Sequence, residues 1–248
     1  MVDWAACLAA TPRVTLTGTL LRLVESQAQV ATNQLVSSLE RQAVLEDLLE
    51  ATKPRLRAGT EHLHYLQATP FRYPPLKHGS RFGTRSAPSL FYGALRTSTV
   101  LAEAAYYRFL FWYGMVTPPT AKLNTQHTLF GAAYQTDQGV QLQAPPLAAY
   151  QAQLCSPSDY SVSQALGAVM RDAGIAAFEF TSARDPERGI NAALFTPLAL
   201  TGTTPVFQAA WLVELSAERV SFYARHNREH YAFALDAFGV AGRLPQAA

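Results

Sequence analysis

Three residues that could act together on an anionic substrate recur at equal intervals near the middle of the chain. Arg81, Tyr92 and Glu103 lie eleven residues apart. A guanidinium binds phosphate through two parallel hydrogen bonds, and a carboxylate stabilises positive charge that develops during bond cleavage. Each residue also has an ordinary explanation, as a loop cation, a core aromatic or an acid near a helix N-terminus. Spacing alone therefore does not distinguish a site from three unrelated structural roles.

A strand and the helix after it would position two of these side chains. The segment SLFYGAL (89–95) is predicted to be a short strand with Tyr92 facing the core or a pocket. Ser98 or Thr99 is predicted to cap the following helix. Glu103 would then lie in its first two turns, between apolar neighbours, where a carboxylate is costly to desolvate unless a partner meets it.

The other elements indicate an α+β protein. Alternation of apolar residues predicts a strand over 14–24 that places Arg22 on an otherwise apolar face. Helices are predicted over 33–50, ended by Pro54, and over 161–174, ended by Gly174. Further strands are predicted at 127–135, 175–184 and 189–197, with a hairpin over 207–225 and a short polar tail. Strands come in groups and do not alternate with helices, which favours a mixed or antiparallel sheet with surrounding helices over a doubly wound parallel fold.

Composition excludes several classes of function. The net charge is +2 and no basic stripe is visible, so neither nucleic acid nor a membrane surface is an expected partner. No apolar run is long enough to span a membrane, and no signal peptide is visible. The two cysteines, Cys7 and Cys155, are far apart, which is typical of a reduced, cytoplasmic protein. The six histidines show no metal-ligand spacing and no G-x-G-x-x-G occurs, so we expect no metal and no Rossmann-type cofactor site.

Ordered motifs across the chain resemble the RES family, which is named for its Arg, Glu and Ser. The first motif is carried by Gly79, Arg81 and Phe82, and the second by Tyr92, Gly93 and Glu103. The third motif is the segment GIAAFEFTSARDPERGINAALF. That third motif supplies Ser182, Arg184, Gly189, Asn191 and Phe195. The early LLRLVES resembles the family's first Arg-bearing strand. Val100 stands where the family usually has alanine, and the residues after Phe82 also depart from its pattern.

The resemblance implies a fold, an activity and a partner. The fold would be ADP-ribosyltransferase-like, with a split mixed sheet whose cleft binds NAD⁺, forming one RES domain over 1–248 with a helical insert at about 26–57. The activity would be that of a bacterial toxin that degrades NAD⁺ at the nicotinamide–ribose bond, as a phosphorylase or a glycohydrolase. NAD⁺ would be the substrate and inorganic phosphate a co-substrate, with no cofactor. The partner would be a small Xre-like helix-turn-helix antitoxin that covers the active site in an oligomeric complex.

The resemblance also implies a role for each matched residue. Glu103 would stabilise the oxocarbenium-like ribose, and Tyr92 would offer a flat wall for the nicotinamide ring. Arg81 would bind the pyrophosphate or an acceptor phosphate. Ser182 would hydrogen-bond the ribose or the carboxamide, and Asn191 would orient Ser182 or the substrate. Arg22 would be a second cation for the substrate.

Two other functions stay open at this point. The same fold could transfer ADP-ribose to a macromolecule, although Leu101 stands where arginine-directed transferases of this fold group carry a second glutamate. The chain could also be a non-catalytic binding partner that docks through the aromatic stretch 106–115. That stretch is more consistent with a core helix, because its aromatics cannot all face outward.

Overall fold

The computed structural model describes residues 2–26, 36, 38–240 and 242–246. Helices within these residues are α1 (Trp4–Ala9), α2 (Leu39–Thr52), α3 (Tyr65–Arg72), α4 (Thr97–Gly114), α5 (Gln151–Leu154) and α6 (Ser161–Asp172). Strands are β1 (Val14–Glu25), β2 (Phe91–Ala94), β3 (Leu123–Gln141), β4 (Ala177–Thr181), β5 (Ile190–Leu194), β6 (Phe207–Leu215), β7 (Arg219–Ala224) and β8 (His230–Ala234). None of the described helices is long and apolar enough to cross a membrane.

The strands form one mixed sheet, which confirms the predicted α+β class. Its order is β1-β2-β5-β4-β3-β6-β7-β8, and β3–β4 is a parallel pair in an otherwise antiparallel arrangement. The predicted hairpin is β6–β7. The prediction of a polar tail was wrong in part, because the tail contains the edge strand β8, in which Tyr231 and Phe233 alternate with exposed residues and pack against Trp211 and Phe222.

Five strands of the sheet close on themselves. Strand β1 pairs with β3 along most of its length, and it meets β2 at the single pair Leu21–Ala94. All five strands, β1, β2, β5, β4 and β3, contribute apolar side chains to one buried cluster together with α3. Because side chains alternate across a strand, the opposite faces of the same strands remain free for other elements to cover.

Helices α4 and α6 cover adjoining parts of one outer face. Apolar residues of α4, including Phe109 and Trp112, pack on β6 and β7. Residues of α6, including Leu166 and Met170, pack on β4 and β5. Tyr92 packs against the α6 cluster and Ala94 against the α4 cluster, and residues two apart on a strand share a face. A cleft therefore opens between the two helices, above β2.

Helix α4 begins differently from the prediction. Its N-cap position is Arg96, without a side-chain capping bond, so neither Ser98 nor Thr99 caps it. The Thr99 hydroxyl donates instead to Asp185 Oδ2, at 2.8 Å. The Thr99 hydroxyl, which the local sequence predicted as a helix cap, is instead used in a buried hydrogen bond to a residue distant in sequence.

The insert before residue 57 contains helix α2. Ser38 caps it by accepting from Arg41 N, and it ends before Pro54. The predicted helix 33–50 began too early, because the helix starts at Leu39 and residues 36 and 38 are not helical. Residues 33–35 and 37 of that prediction lie outside the described residues. No residue of α2 is buried. The assignment of one domain with an insert at about 26–57 stays a prediction.

Candidate active site

The cleft between α4 and α6 holds a cavity of about 900 Å³. Five of the six residues singled out from sequence line it: Arg22, Arg81, Tyr92, Glu103 and Asn191. The sixth, Ser182, touches Glu103 from behind the cavity wall. The structure thus brings together residues from β1, β2, β5, α4 and two loops.

Glu103 is anchored through one oxygen only. Its Oε1 accepts hydrogen bonds from Ser182 Oγ, at 2.5 Å, and from Asn191 Nδ2, at 2.7 Å. Both donors are neutral, so they fix the carboxylate without cancelling its charge. Oε2 makes no hydrogen bond to any described residue, and the side chain lines the cavity. The arrangement leaves a rigid, charged oxygen available to a ligand.

Ser182 and Asn191 reach Glu103 because β4 and β5 are paired. Ser182 directly follows β4, and its backbone N–H donates to the carbonyl of Gly189, just before β5. Asn191 is the second residue of β5 and faces the same side as Ala193 of the α6 cluster. The turn presents Ser182 and the start of β5 presents Asn191, so the paired strands bring both donors to α4.

Tyr92 is a fixed wall of the cavity and has no free hydroxyl. Its oxygen accepts from the backbone N–H of Phe82, at 3.1 Å, and lies 3.0 Å from Ser80 Oγ. Burial raises the pKa of this hydroxyl, so it stays a neutral phenol. The edge of Phe180 supports the ring at 6.3 Å between centroids. The tyrosine is suited to contact a flat ligand and is not placed to act as an acid or base.

Arg81 is held by carbonyl oxygens and an aromatic ring. Its Nη1 donates to Ser156 O at 2.9 Å and to Leu154 O at 3.2 Å, and its guanidinium carbon lies 4.6 Å from the centroid of Tyr160. It forms no ion pair with an acid of the described chain. Its positive charge is therefore available to an anion.

The loop that carries Arg81 needs a glycine. Gly79 has φ +78°, and a Cβ there would lie 2.4 Å from Gly83 O. Gln164 Nε2 of α6 fastens the same loop by donating to His78 O and Ser80 O, each at 3.0 Å. The tight turn and the Gln164 amide together fix the backbone position of Arg81.

Arg22 occupies the narrow junction of β1 and β2. Its Nη1 donates to Tyr92 O at 2.8 Å, and its guanidinium carbon lies 5.7 Å from the ring centroid of Phe91. Burial lowers the pKa of this guanidinium, although arginine remains charged at neutral pH. Arg22 lines the cavity as a second cation, and its predicted role in binding the substrate stays a prediction.

Three lining residues were not assigned as site residues from the sequence: Arg184, Tyr160 and Tyr106. The Arg184 guanidinium carbon lies 3.6 Å from the ring centroid of Tyr106, and its Nη2 donates to Pro157 O and to Tyr160 Oη. Arg184 belongs to the third RES motif, so the sequence did indicate that it could be a site residue. Tyr160 and Tyr106 gave none, because their role depends on segments far apart in sequence.

The charge of the cavity is strongly asymmetric. Among its described lining residues Glu103 is the single acid, whereas Arg22, Lys77, Arg81 and Arg184 are cations. This arrangement favours a ligand that is anionic over most of its length and electron-poor at one point.

Within the described residues, no three His, Cys, Asp or Glu side chains are grouped to hold a metal ion. The expectation that the reaction needs no metal or cofactor stays a prediction.

Comparisons with known proteins agree with the motifs. The RES domain family matches residues 55–216, more than half of the chain. No curated protein matches. One similar solved structure is from the M. tuberculosis MbcT–MbcA toxin–antitoxin complex, with 10% sequence identity, a TM-score of 0.48, and coverage of 86% of this chain and 92% of that chain.

Proposed function

The chain belongs to the RES domain family, and on that premise we propose that it is the toxin of a toxin–antitoxin pair and degrades NAD⁺ by cleaving the nicotinamide–ribose bond. One observation carries the proposal: Glu103 is the single described acid of a cationic cavity, with Oε1 held by neutral donors and Oε2 left over. NAD⁺ combines an anionic pyrophosphate with a ribose carbon that becomes electron-poor as nicotinamide leaves.

The proposed reaction uses charge that is already in place. As the bond between the ribose carbon and nicotinamide breaks, positive charge develops on the sugar, and Glu103 Oε2 stabilises it. The nicotinamide leaves with the bonding electron pair. A phosphate then adds to the ribose carbon through one of its anionic oxygens, or a water adds there and passes its proton to the Glu103 carboxylate.

The substrate would be bound by side chains whose positions are fixed by other contacts within the protein. Arg81 and Arg184 would bind the pyrophosphate, since neither pairs with an acid of the described chain. The ring of Tyr92 would lie against nicotinamide, because its hydroxyl is tied to the loop at residues 80–82. NAD⁺ as a substrate implies action in the cytoplasm.

The test is nicotinamide release from NAD⁺ by the purified protein, with and without inorganic phosphate. We expect release by the wild type and a fall in kcat of at least about 100-fold in Glu103→Gln. Glu214→Gln is the matched control, since it removes the same charge from an exposed surface pair with Lys122. Dependence on phosphate would identify phosphorolysis. No release under either condition would refute the proposal, and label retained on a macromolecule would indicate transfer of ADP-ribose.

We also expect an antitoxin to cover the cavity mouth. Tyr107 and Phe111 line the cavity and are more than half exposed, which is a costly arrangement for a surface without a partner. A small helix-turn-helix protein encoded beside this chain should co-purify with it and suppress nicotinamide release. Suppression should weaken when Tyr107 and Phe111 are both changed to serine, and unchanged suppression would argue against this face.

A further inference from the structure

A second pair of polar residues lies behind Glu103 and does not reach the cavity. Asp185 is 6% exposed and pairs with no cation among the described residues. Its Oδ2 accepts from the Thr99 hydroxyl at 2.8 Å and from Gly189 N at 3.2 Å, and its Oδ1 accepts from Glu187 N at 3.0 Å. These donors satisfy a buried carboxylate that would otherwise be costly.

Thr99 and Glu103 contact the same turn from one face of α4. They are four residues apart, and side chains at this spacing point in the same direction from a helix. Thr99 binds Asp185 while Glu103 binds Ser182, at the start of the same turn. Together with Arg184, whose guanidinium lies on the ring of Tyr106 in the same helix, these two hydrogen bonds fix the turn relative to α4.

The turn also fixes the direction of the Ser182 proton. Ser182 Oγ accepts from the backbone N–H of Arg184, at 3.1 Å, and of Asp185, at 2.9 Å. A hydroxyl has two acceptor positions and one proton. With both acceptor positions used, its proton goes to Glu103 Oε1. The geometry of residues 182–185 therefore decides how firmly Glu103 is held.

Close packing at Gly189 indicates that the contact with Thr99 is tightly built. A Cβ at Gly189 would lie 2.0 Å from Thr99 Oγ1 and 2.6 Å from Asp185 Oδ2. Thr99 itself is completely buried. The backbone passes this hydroxyl at a distance that only glycine allows.

We infer that Thr99 and Asp185 are positioning residues for the proposed reaction: they hold the turn at 182–189 against α4, so that Ser182 donates to Glu103 and Glu103 Oε2 faces the substrate. This inference rests on the proposed function. Neither residue lines the cavity, so both act through Ser182 and Glu103.

The test uses two variants. Thr99→Val removes the hydroxyl at nearly constant volume, whereas Thr99→Ser keeps the hydroxyl and removes the methyl group. We expect Thr99→Val to lower kcat for nicotinamide release about 10- to 50-fold with KM for NAD⁺ within about threefold, because the Arg184 guanidinium is also held by Pro157 O, Tyr160 and Tyr106, which lie outside the turn. Thr99→Ser should return kcat to within about threefold of the wild type. Thr69→Val is the matched control, since the Thr69 hydroxyl donates to the Tyr65 carbonyl in α3, remote from the turn. If Thr99→Val does not fold, Thr99→Ala removes the same donor.

Amide hydrogen exchange gives a readout independent of activity. In Thr99→Val the amides of Arg184, Asp185 and Gly189 should exchange at least about tenfold faster, since each donates to a side chain of this turn. Faster exchange with unchanged kcat would overturn the positioning role. Unchanged exchange would overturn the contact itself. A wild type without NAD⁺ cleavage but with the expected exchange pattern would refute the proposed function and leave the contact standing.

Discussion

Helix α4 directs two charged side chains toward the sheet, and their surroundings differ. Glu103, in the first half, is held by the neutral donors Ser182 and Asn191. Arg108, in the second half, pairs with the Glu25 carboxylate at 2.9 Å and also contacts His127. One charge is positioned without being neutralised, and the other is neutralised.

The difference separates a charge kept for a ligand from a charge kept for the fold. An ion pair lowers the field that a third group experiences, whereas neutral donors fix an ion and leave its field available. Glu103 borders the cavity and Arg108 does not. Both residues are half-buried on the same helix, so the type of partner is what distinguishes them.

Among changes to the partners of these two charges, the largest expected effect comes from weakening the neutral anchor of Glu103. Ser182→Ala removes one of its two donors, and a hydrogen bond to a charged group contributes about 1.5–3 kcal/mol. We expect kcat for nicotinamide release to fall roughly 10- to 100-fold. The check is steady-state kinetics beside Ser216→Ala, a surface change. Full activity in Ser182→Ala would mean that Asn191 alone holds the carboxylate.

Much of the fold was predictable because it depends on local patterns. The alternation in β1 and the apolar runs at β4 and β5 predicted the strands, and Gly174 marked the end of α6 at φ +72°. The closure of β1 on β3 was not predictable. Periodicity identifies a strand and its buried face, but it does not identify the partner, and these two strands are separated by about a hundred residues.

The site residues also divide into those that sequence motifs indicate and those that depend on tertiary contacts. Glu103, Ser182 and Asn191 were found through motifs, and the pairing of β4 with β5 explains why they meet. The role of Thr99 was misassigned as a cap, because the hydroxyl has a local use and a tertiary use and the sequence shows only the first. Tyr160 was missed because its contacts with Arg81 and Arg184 join segments that are far apart in sequence.

The next expected effect concerns the neutralised half of α4 and its dependence on pH. Burial, together with the nearby Arg108 charge, lowers the pKa of His127 to about 3. An unfolded histidine titrates near 6.5, so between about pH 6.5 and 3 the unfolded state binds a proton that the folded state refuses. The free energy of unfolding should therefore fall with decreasing pH, by at most about 1.4 kcal/mol per unit.

His127→Gln should reduce that slope, and urea unfolding at pH 7, 6 and 5 measures it. His226→Gln is the control, because His226 is exposed. Nicotinamide release at pH 7 should stay within about threefold of the wild type, since His127 does not line the cavity. An identical slope in His127→Gln and the wild type would show that other groups set the acid sensitivity.

The smallest expected effect tests the ion pair of Arg108 directly. The Glu25 side chain is 58% exposed, so its pairing with Arg108 is screened by water and salt. Glu25→Gln should lower the free energy of unfolding by less than about 1 kcal/mol, with the difference shrinking in high salt, and should leave kcat unchanged. The pair Lys122–Glu214 is exposed on both sides, so Glu214→Gln should cost even less. A loss of activity in Glu25→Gln would break the contrast between the two halves of α4, because it would mean that the field of Arg108 reaches the cavity and that its pairing with Glu25 controls the charge Glu103 presents to the substrate.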